Sequence, residues 1–333
     1  MAKQTYTQFQ TPEKWKVVNK HNKEIISEYE LELKSRGKSK NTIKQYINDL
    51  KILACYVVDE YENIPFYKLT KKQIRNFVID LQDNDTSPAR INRILSSIRT
   101  MLDFAIDDED YEDLYLKNVA SKIKGLDKEK VRDVIFLSMD EITTIYNVLI
   151  RKKKYQEALL LSLLIDTAGR KNEIYQIQKS SIRENGVFTN EVVGKGNKKF
   201  KLMYNKMTKD TFPLYLEQRG EDDYDFLWYS KDKDGNITEA KPSKFYYWIK
   251  KWVEILYKET GVKKNFNIHS FRHSCLELLS TGEHYICDVT GRGKFELTTL
   301  QALANHNDIS TTNSYLKDKT EDILLEAFNV EVD

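Results

Sequence analysis

The sequence predicts a mainly α protein of two domains, with a small β-hairpin confined to the second. Three observations point there. Apolar residues recur at helical spacing through four successive segments between residues 20 and 110. β-prone runs are limited to Val187–Val193 and Lys199–Met203, on either side of a Gly194-Lys195-Gly196-Asn197 turn. At 333 residues the chain exceeds what one core usually holds, since typical domains run to roughly 100–200 residues.

Residues 1–20 read as a polar amino-terminal arm. From Lys23 to Arg36, Ile25, Ile26, Tyr29 and Leu33 form a helical stripe that stops at Gly37, a good carboxy-terminal cap. Ser39, Asn41 and Thr42 offer caps for a second helix with Ile43, Tyr46, Ile47, Leu50, Leu53 and Val57 on one face. Pro65 precedes a third helix, roughly Lys71 to Leu81. Ser87-Pro88 opens a fourth that buries Ile91, Ile94, Leu95, Ile98 and Leu102. This first domain spans 21–112. Between 113 and 132 the periodicity weakens while Lys117, Lys122, Lys124, Lys128, Lys130 and Arg132 accumulate, the pattern of a basic linker.

The second domain, 133–333, opens with a capping box, Ser138-Met139-Asp140-Glu141, before Ile142, Ile145, Val148 and Leu149. The apolar run Ala158–Ile165 follows, then the hairpin. Asp234-Gly235 marks a turn, Pro242-Ser243 starts an aromatic-rich helix, and helices dominate elsewhere. Thr281–Glu296, with Gly282, Gly291 and Gly293, reads as a surface insertion before a helix at Leu297–Leu303. Ile323, Leu324, Ala327 and Phe328 give the tail, about 320–330, an apolar helical face.

With 53 basic and 51 acidic residues the net charge is +2, so any polyanion partner must be argued from local clusters. No apolar stretch approaches the ~20 residues of a membrane helix, and the first residues lack a signal-peptide core, so a cytoplasmic, nucleoid-associated protein is expected. Three scattered cysteines, Cys55, Cys275 and Cys287, suggest reduced thiols. His273, Cys275, His284 and Cys287 lie close in sequence, but their spacing is not that of a zinc module.

The chemistry concentrates near the carboxy terminus. His306 and Tyr315 stand nine positions apart, downstream of His269-Ser270-Phe271-Arg272-His273. A phenol, imidazoles and a guanidinium are the groups that attack a phosphodiester and stabilise the charge developing on it. Upstream, Asp166-Thr167-Ala168-Gly169-Arg170 places a second arginine after the apolar run, and Lys195 sits at the hairpin turn. Four motifs in this order resemble the tyrosine recombinases, the phage-integrase and Xer-type enzymes. The resemblance covers most of the chain and is specific in the second domain.

That resemblance implies a helical core-binding domain followed by an integrase-type catalytic domain. It implies Tyr315 as nucleophile, Arg170 and Arg272 on the non-bridging oxygens, and Lys195 protonating the leaving 5′ oxygen. His269 and His306 would bond the phosphate or move the tyrosine proton, with pKa values near neutrality. Glu173, one turn beyond Arg170, would orient an active-site group, although a plain salt bridge explains it as well. No cofactor or metal is expected where arginines do the electrostatic work. In the first domain Lys38, Lys40, Asn41, Thr42, Lys44, Arg90, Arg93 and Arg99 would contact DNA; each alone could equally be a solvated helix residue. The expected partners are double-stranded DNA at specific sites, three further copies in a tetrameric synapse joined by the tail helix in trans, and an accessory DNA-bending protein.

Two departures stand out. Asn305 occupies the position where these enzymes usually have glycine, suggesting an altered helix start. The stretch between Arg272 and His306 is long. A phage or mobile-element integrase is the expected subtype. The alternatives are a catalytically idle DNA-binding protein of the same fold and a type IB-like topoisomerase.

Overall fold

Of the caps offered by the sequence, Ser39 and the Ser138–Glu141 box form, whereas Asn41 and Thr42 fall inside the helix that Ser39 starts and Ser87 makes no side-chain cap bond. In a computed structural model, which describes residues 9–127 and 134–317, the chain is predominantly helical with small antiparallel hairpins, the predicted class. It divides into two compact units at residues 133 and 134.

In the first unit, α1 (Pro12–Val17) turns part of the expected arm into helix, because Thr11 caps it and Pro12 presets its first turn. Helix α2 (Lys20–Ser35) buries Ile25, Ile26, Tyr29 and Leu33 and ends at Gly37, whose φ of +65° suits glycine. Ser39 caps α3 (Lys40–Glu60), and a reciprocal Thr70–Gln73 box caps α4 (Lys71–Asp83). Pro88 opens α5 (Pro88–Asp107). Helix α3 packs on α2 and α5 through Leu50, Leu53, Ile94, Leu95 and Ile98, all essentially excluded from water. Each such side chain contributes about 1.5–3 kcal/mol.

The first half of the expected linker is part of this core. Tyr115, Ala120 and Ile123 are buried, and Asn92 clasps Leu126 through its carbonyl and its N–H. Lys128, Lys130 and Arg132 lie outside the described residues.

The second unit is organised around α7 (Tyr155–Thr167), buried on all sides from Gln156 onward. Helices α6 (Met139–Arg151), α9 (Lys206–Arg219) and α11 (Ile268–Thr281) pack against it, and α10 (Lys244–Thr260) packs on α6 and α11, contributing Trp248 and Trp252. Helix α7 ends at Ala168, which is left-handed at φ +48°, and α8 (Lys171–Tyr175) follows.

Strands β1 (Phe188–Val193) and β2 (Lys199–Met203) pair antiparallel, with Val193 opposite Lys199. A second hairpin, β3 (Tyr229–Lys231) and β4 (Ile237–Glu239), flanks the Asp234-Gly235 turn; its three-residue strands are too short to show a period.

The stretch Thr281–Glu296, expected as a surface insertion, is partly built into the core. It contains α12 (Tyr285–Thr290) and buries His284, Ile286 and Cys287. Tyr285 donates to the buried Asp166 at 2.5 Å, and the same carboxylate accepts the Asn205 and Thr208 N–H groups that start α9. Helices α13 (Leu297–Ala304) and α14 (Ile309–Asn313) complete the unit. Asn305 ends α13 rather than starting a helix; at φ +51° it fills the left-handed cap that glycine would take, which asparagine tolerates better than most residues. The tail with Ile323, Leu324, Ala327 and Phe328 lies outside the described residues. No helix among those described is long and apolar enough to cross a membrane.

Candidate active site

Two helix ends build the binding place for Arg272. The α7 terminus offers the Ala168 carbonyl to Nη1, and the α13 terminus offers the Ala304 carbonyl to Nη2 at 2.7 Å. Carbonyls at helix carboxy termini carry partial negative charge, so a guanidinium is favoured there. Only 1% of Arg272 is exposed, and its Nε has no hydrogen-bond partner among the described residues. Burial and the charge of Arg170 oppose its ionisation, while Tyr315 and Glu173 favour it.

His306 lies 2.6 Å from Arg272 Nη2 through its Nε2, and its Nδ1 lies 2.9 Å from Thr312 Oγ1. Guanidinium nitrogens only donate, so Nε2 accepts, the proton sits on Nδ1, and Thr312 receives it. Burial first, then the charges of Arg272, Arg170 and Lys198, hold the pKa at about 4. His306 is therefore neutral at physiological pH, contrary to the expectation of a group titrating near neutrality.

The Tyr315 ring packs between two imidazoles, 4.3 Å from His273 and 4.9 Å from His306 between centroids, and 5.1 Å from the Arg272 guanidinium carbon. His273 Nδ1 is 3.1 Å from the Tyr315 carbonyl, and Glu277 accepts the Lys317 N–H at 3.0 Å. The strand of chain bearing the phenol is thus held on both sides. His273 turns to Tyr315 while His284 turns to the Ile165 carbonyl, so these two residues of the His/Cys grouping serve separate ends.

Arg170 caps α8, and the buried Glu173 grips it twice, through the backbone N–H at 2.7 Å and Nη1 at 2.9 Å. A cavity of about 340 Å³ is lined by Arg170, Glu173, Lys195 and His269, together with Lys171 and Tyr246. Partial burial, then the charges of Arg272, Arg170 and Lys171, lower the His269 pKa.

Among the hairpin lysines, Lys198 reaches Asn307 at 3.2 Å and Lys199 faces Glu191 at 3.6 Å, whereas Lys195 lines the cavity. Sequence reasoning missed Thr312, Lys171 and Tyr246; the last two lie 75 positions apart and nothing local links them.

In the first unit Lys38, Lys40 and Lys44 line an exposed groove with Lys34 and Lys51. Asn41 and Thr42 occupy the first turn of α3, where Thr42 is engaged by Ser39. Arg90 and Arg93 both pair with Asp49, whose side chain is fully buried. Arg99 points elsewhere: it donates to the carbonyls of Ala120 and Ile123, an internal clamp rather than an outward contact.

Comparison with known proteins gives a consistent picture. Residues 135–322 match the phage integrase family, and residues 26–109 match the phage integrase N-terminal SAM-like domain. The tyrosine recombinase XerD of Oceanobacillus iheyensis is 27% identical over 287 residues, covering 84% of this chain and 88% of that protein. XerA of Thermococcus onnurineus is 25% identical over 296 residues, covering 88% and 90%. Among solved structures, a lambda integrase dimer bound to a COC′ core site aligns with a TM-score of 0.64 at 17% identity, over 89% of this chain and 77% of that one. XerH recombinase bound to a palindromic difH substrate aligns at 0.63 and 17%, over 89% and 82%.

Proposed function

This chain belongs to the phage integrase family and is a tyrosine site-specific recombinase, and from that premise we propose how its residues cut and rejoin DNA. The Tyr315 oxygen attacks a backbone phosphorus, the bond to the 5′ oxygen breaks, and a 3′-phosphotyrosyl link forms. Lys195 gives a proton to the departing 5′ oxygen, and the phenolic proton passes to solvent or to His269. Arg170 and Arg272 hold the non-bridging oxygens. Because the link keeps the energy of the broken bond, a second DNA strand attacks it and is joined.

One observation carries this reading: the Tyr315 ring lies 4.9 Å from His306 and 5.1 Å from the guanidinium carbon of Arg272, a residue 1% exposed whose Nε has no partner among the described residues. Burying a guanidinium is costly unless an anion recovers the loss. His306, locked neutral, orients Arg272 instead of shuttling protons, and Glu173 fixes Arg170.

The substrate is double-stranded DNA at paired sites of a phage or other mobile element. Lys38, Lys40 and Lys44 supply phosphate contacts from the first unit, with Asn41, Thr42 and the Asp49-braced Arg90 and Arg93 beside them. Four protomers act on two duplexes, linked by the tail docking in trans. An apolar groove in the second unit, lined by Phe188, Met203, Leu279, Ile286, Phe295 and Leu303, suits such a tail. Deleting everything after Lys319 should abolish synapsis and leave a folded DNA-binding monomer; unchanged synapsis sinks the tail's role.

The central test incubates the protein, in EDTA, with nicked suicide duplexes from DNA flanking its gene. A covalent adduct at Tyr315, absent in Tyr315→Phe, is the expected result. Binding at those sites without an adduct would favour an idle DNA-binding protein.

A further inference from the structure

The cavity beside Arg170 holds a cation that cleavage at a single phosphate does not use. Arg170, Lys195 and His269 share its lining with Lys171, to which the proposed reaction gives no task. Lys171 is held by an aromatic partner. Its Nζ donates to the Tyr246 hydroxyl at 3.0 Å and lies 4.5 Å from that ring's centroid. No carboxylate lies within ion-pair distance of it among the described residues, whereas Arg170 beside it is paired with Glu173.

The chemistry of that arrangement is specific. An ammonium has three donors, and one is spent on Tyr246. Two remain. An aromatic partner restrains a cation without neutralising it, so the full charge stays available to an anion. Tyr246 is 53% exposed, so the pair is open to solvent. His269 lines the same cavity, and the charge of Lys171 adds to burial and to the charges of Arg272 and Arg170 in lowering its pKa.

We propose that Lys171, braced by Tyr246, is a second phosphate subsite that binds a backbone phosphate next to the scissile one. It rests on the reading of this cavity as the DNA-cleavage site. Its effect is register: with the neighbouring phosphate fixed, the scissile phosphorus is presented to Tyr315 without help from base contacts. Lys171 is a binding and positioning residue here, and it takes no part in proton transfer.

The test uses the full-length protein and a set of suicide duplexes. Each carries one neutral methylphosphonate at one of the three phosphates on either side of the cleavage position. Equilibrium binding and single-turnover adduct formation are both measured, for wild type, Lys171→Ala, Lys171→Arg and Tyr246→Phe. At one flanking position the methylphosphonate should weaken wild type by about tenfold and have no further effect in Lys171→Ala. Lys171→Arg should restore the penalty at that position, and Tyr246→Phe should reduce it. The salt slope of binding should become shallower by about one in Lys171→Ala.

Thermal melts separate these effects from misfolding. Equal penalties in wild type and Lys171→Ala at every position overturn the subsite, even where adduct formation is normal. If no duplex yields an adduct yet the coupling appears in binding, the subsite stands and the cleavage reading falls.

Discussion

Replacing Thr312 by valine tests the protonation state assigned to His306. The substitution keeps the shape of a fully buried side chain and removes only the hydroxyl that receives the His306 Nδ1 proton at 2.9 Å. The imidazole then has two options. It can leave a buried donor unsatisfied, at a cost of about 1–3 kcal/mol. Or it can move its proton to Nε2, which sets two donors against each other across the 2.6 Å contact with Arg272 and expels the guanidinium from its place. Either course removes about 1.4–2.7 kcal/mol of transition-state stabilisation, roughly 10- to 100-fold in rate. The assay is single-turnover adduct formation on a nicked suicide duplex near neutral pH, beside a thermal melt. Thr312→Ser, which keeps the hydroxyl, should stay within a few fold of wild type. If Thr312→Val cleaves at the wild-type rate while remaining folded, the assigned tautomer and its link to Arg272 are refuted.

Three further outcomes follow from other parts of the structure. Burial holds His284 and His306 at about 4, against an ordinary histidine value of 6.5. The unfolded chain therefore binds protons first as pH falls, and the stability present above about pH 6.5 is lost on the way down to about 4. Melting temperature should fall across that window, and His284→Asn, which keeps a cap acceptor for Ile286, should flatten the fall; an unchanged slope in the variant would count against the burial argument. In the first unit, Arg99→Met should cost about 2 kcal/mol in urea unfolding, because two buried carbonyls lose a charged donor. Lys44→Ala should leave stability within about 0.5 kcal/mol and make the salt slope of DNA binding shallower by about one. The opposite assignment of those two losses would reverse the structural roles given to them.

Legibility in the sequence followed the range of the forces involved. Helices α3 and α5 were readable because their stripes repeat every three or four residues and their caps are local: Ser39 for one, Ser87-Pro88 for the other. The hairpin could be read from its Gly-Lys-Gly-Asn turn, where Gly196 takes φ +75°. Less readable was Thr281–Glu296. Its glycines suggested a loop, and only the tertiary partner Asp166, more than a hundred positions upstream, draws Tyr285 inward and makes a helix worthwhile. Arg99 shows the same limit from the other direction. A guanidinium off an apolar stripe reads as outward-facing until the carbonyls of Ala120 and Ile123 turn back over it.

The sequence by itself determined the helical class, the order of the four motifs and the residue types able to attack and hold a phosphate, because those are matters of local periodicity and side-chain chemistry. Tertiary structure alone decided what each group can do. It seats Arg272 between two helix ends, makes His306 a neutral acceptor by burial beside that cation, and brings Lys171 to Tyr246. A pKa and a hydrogen-bond partner belong to an environment, and that environment exists only once distant segments have packed.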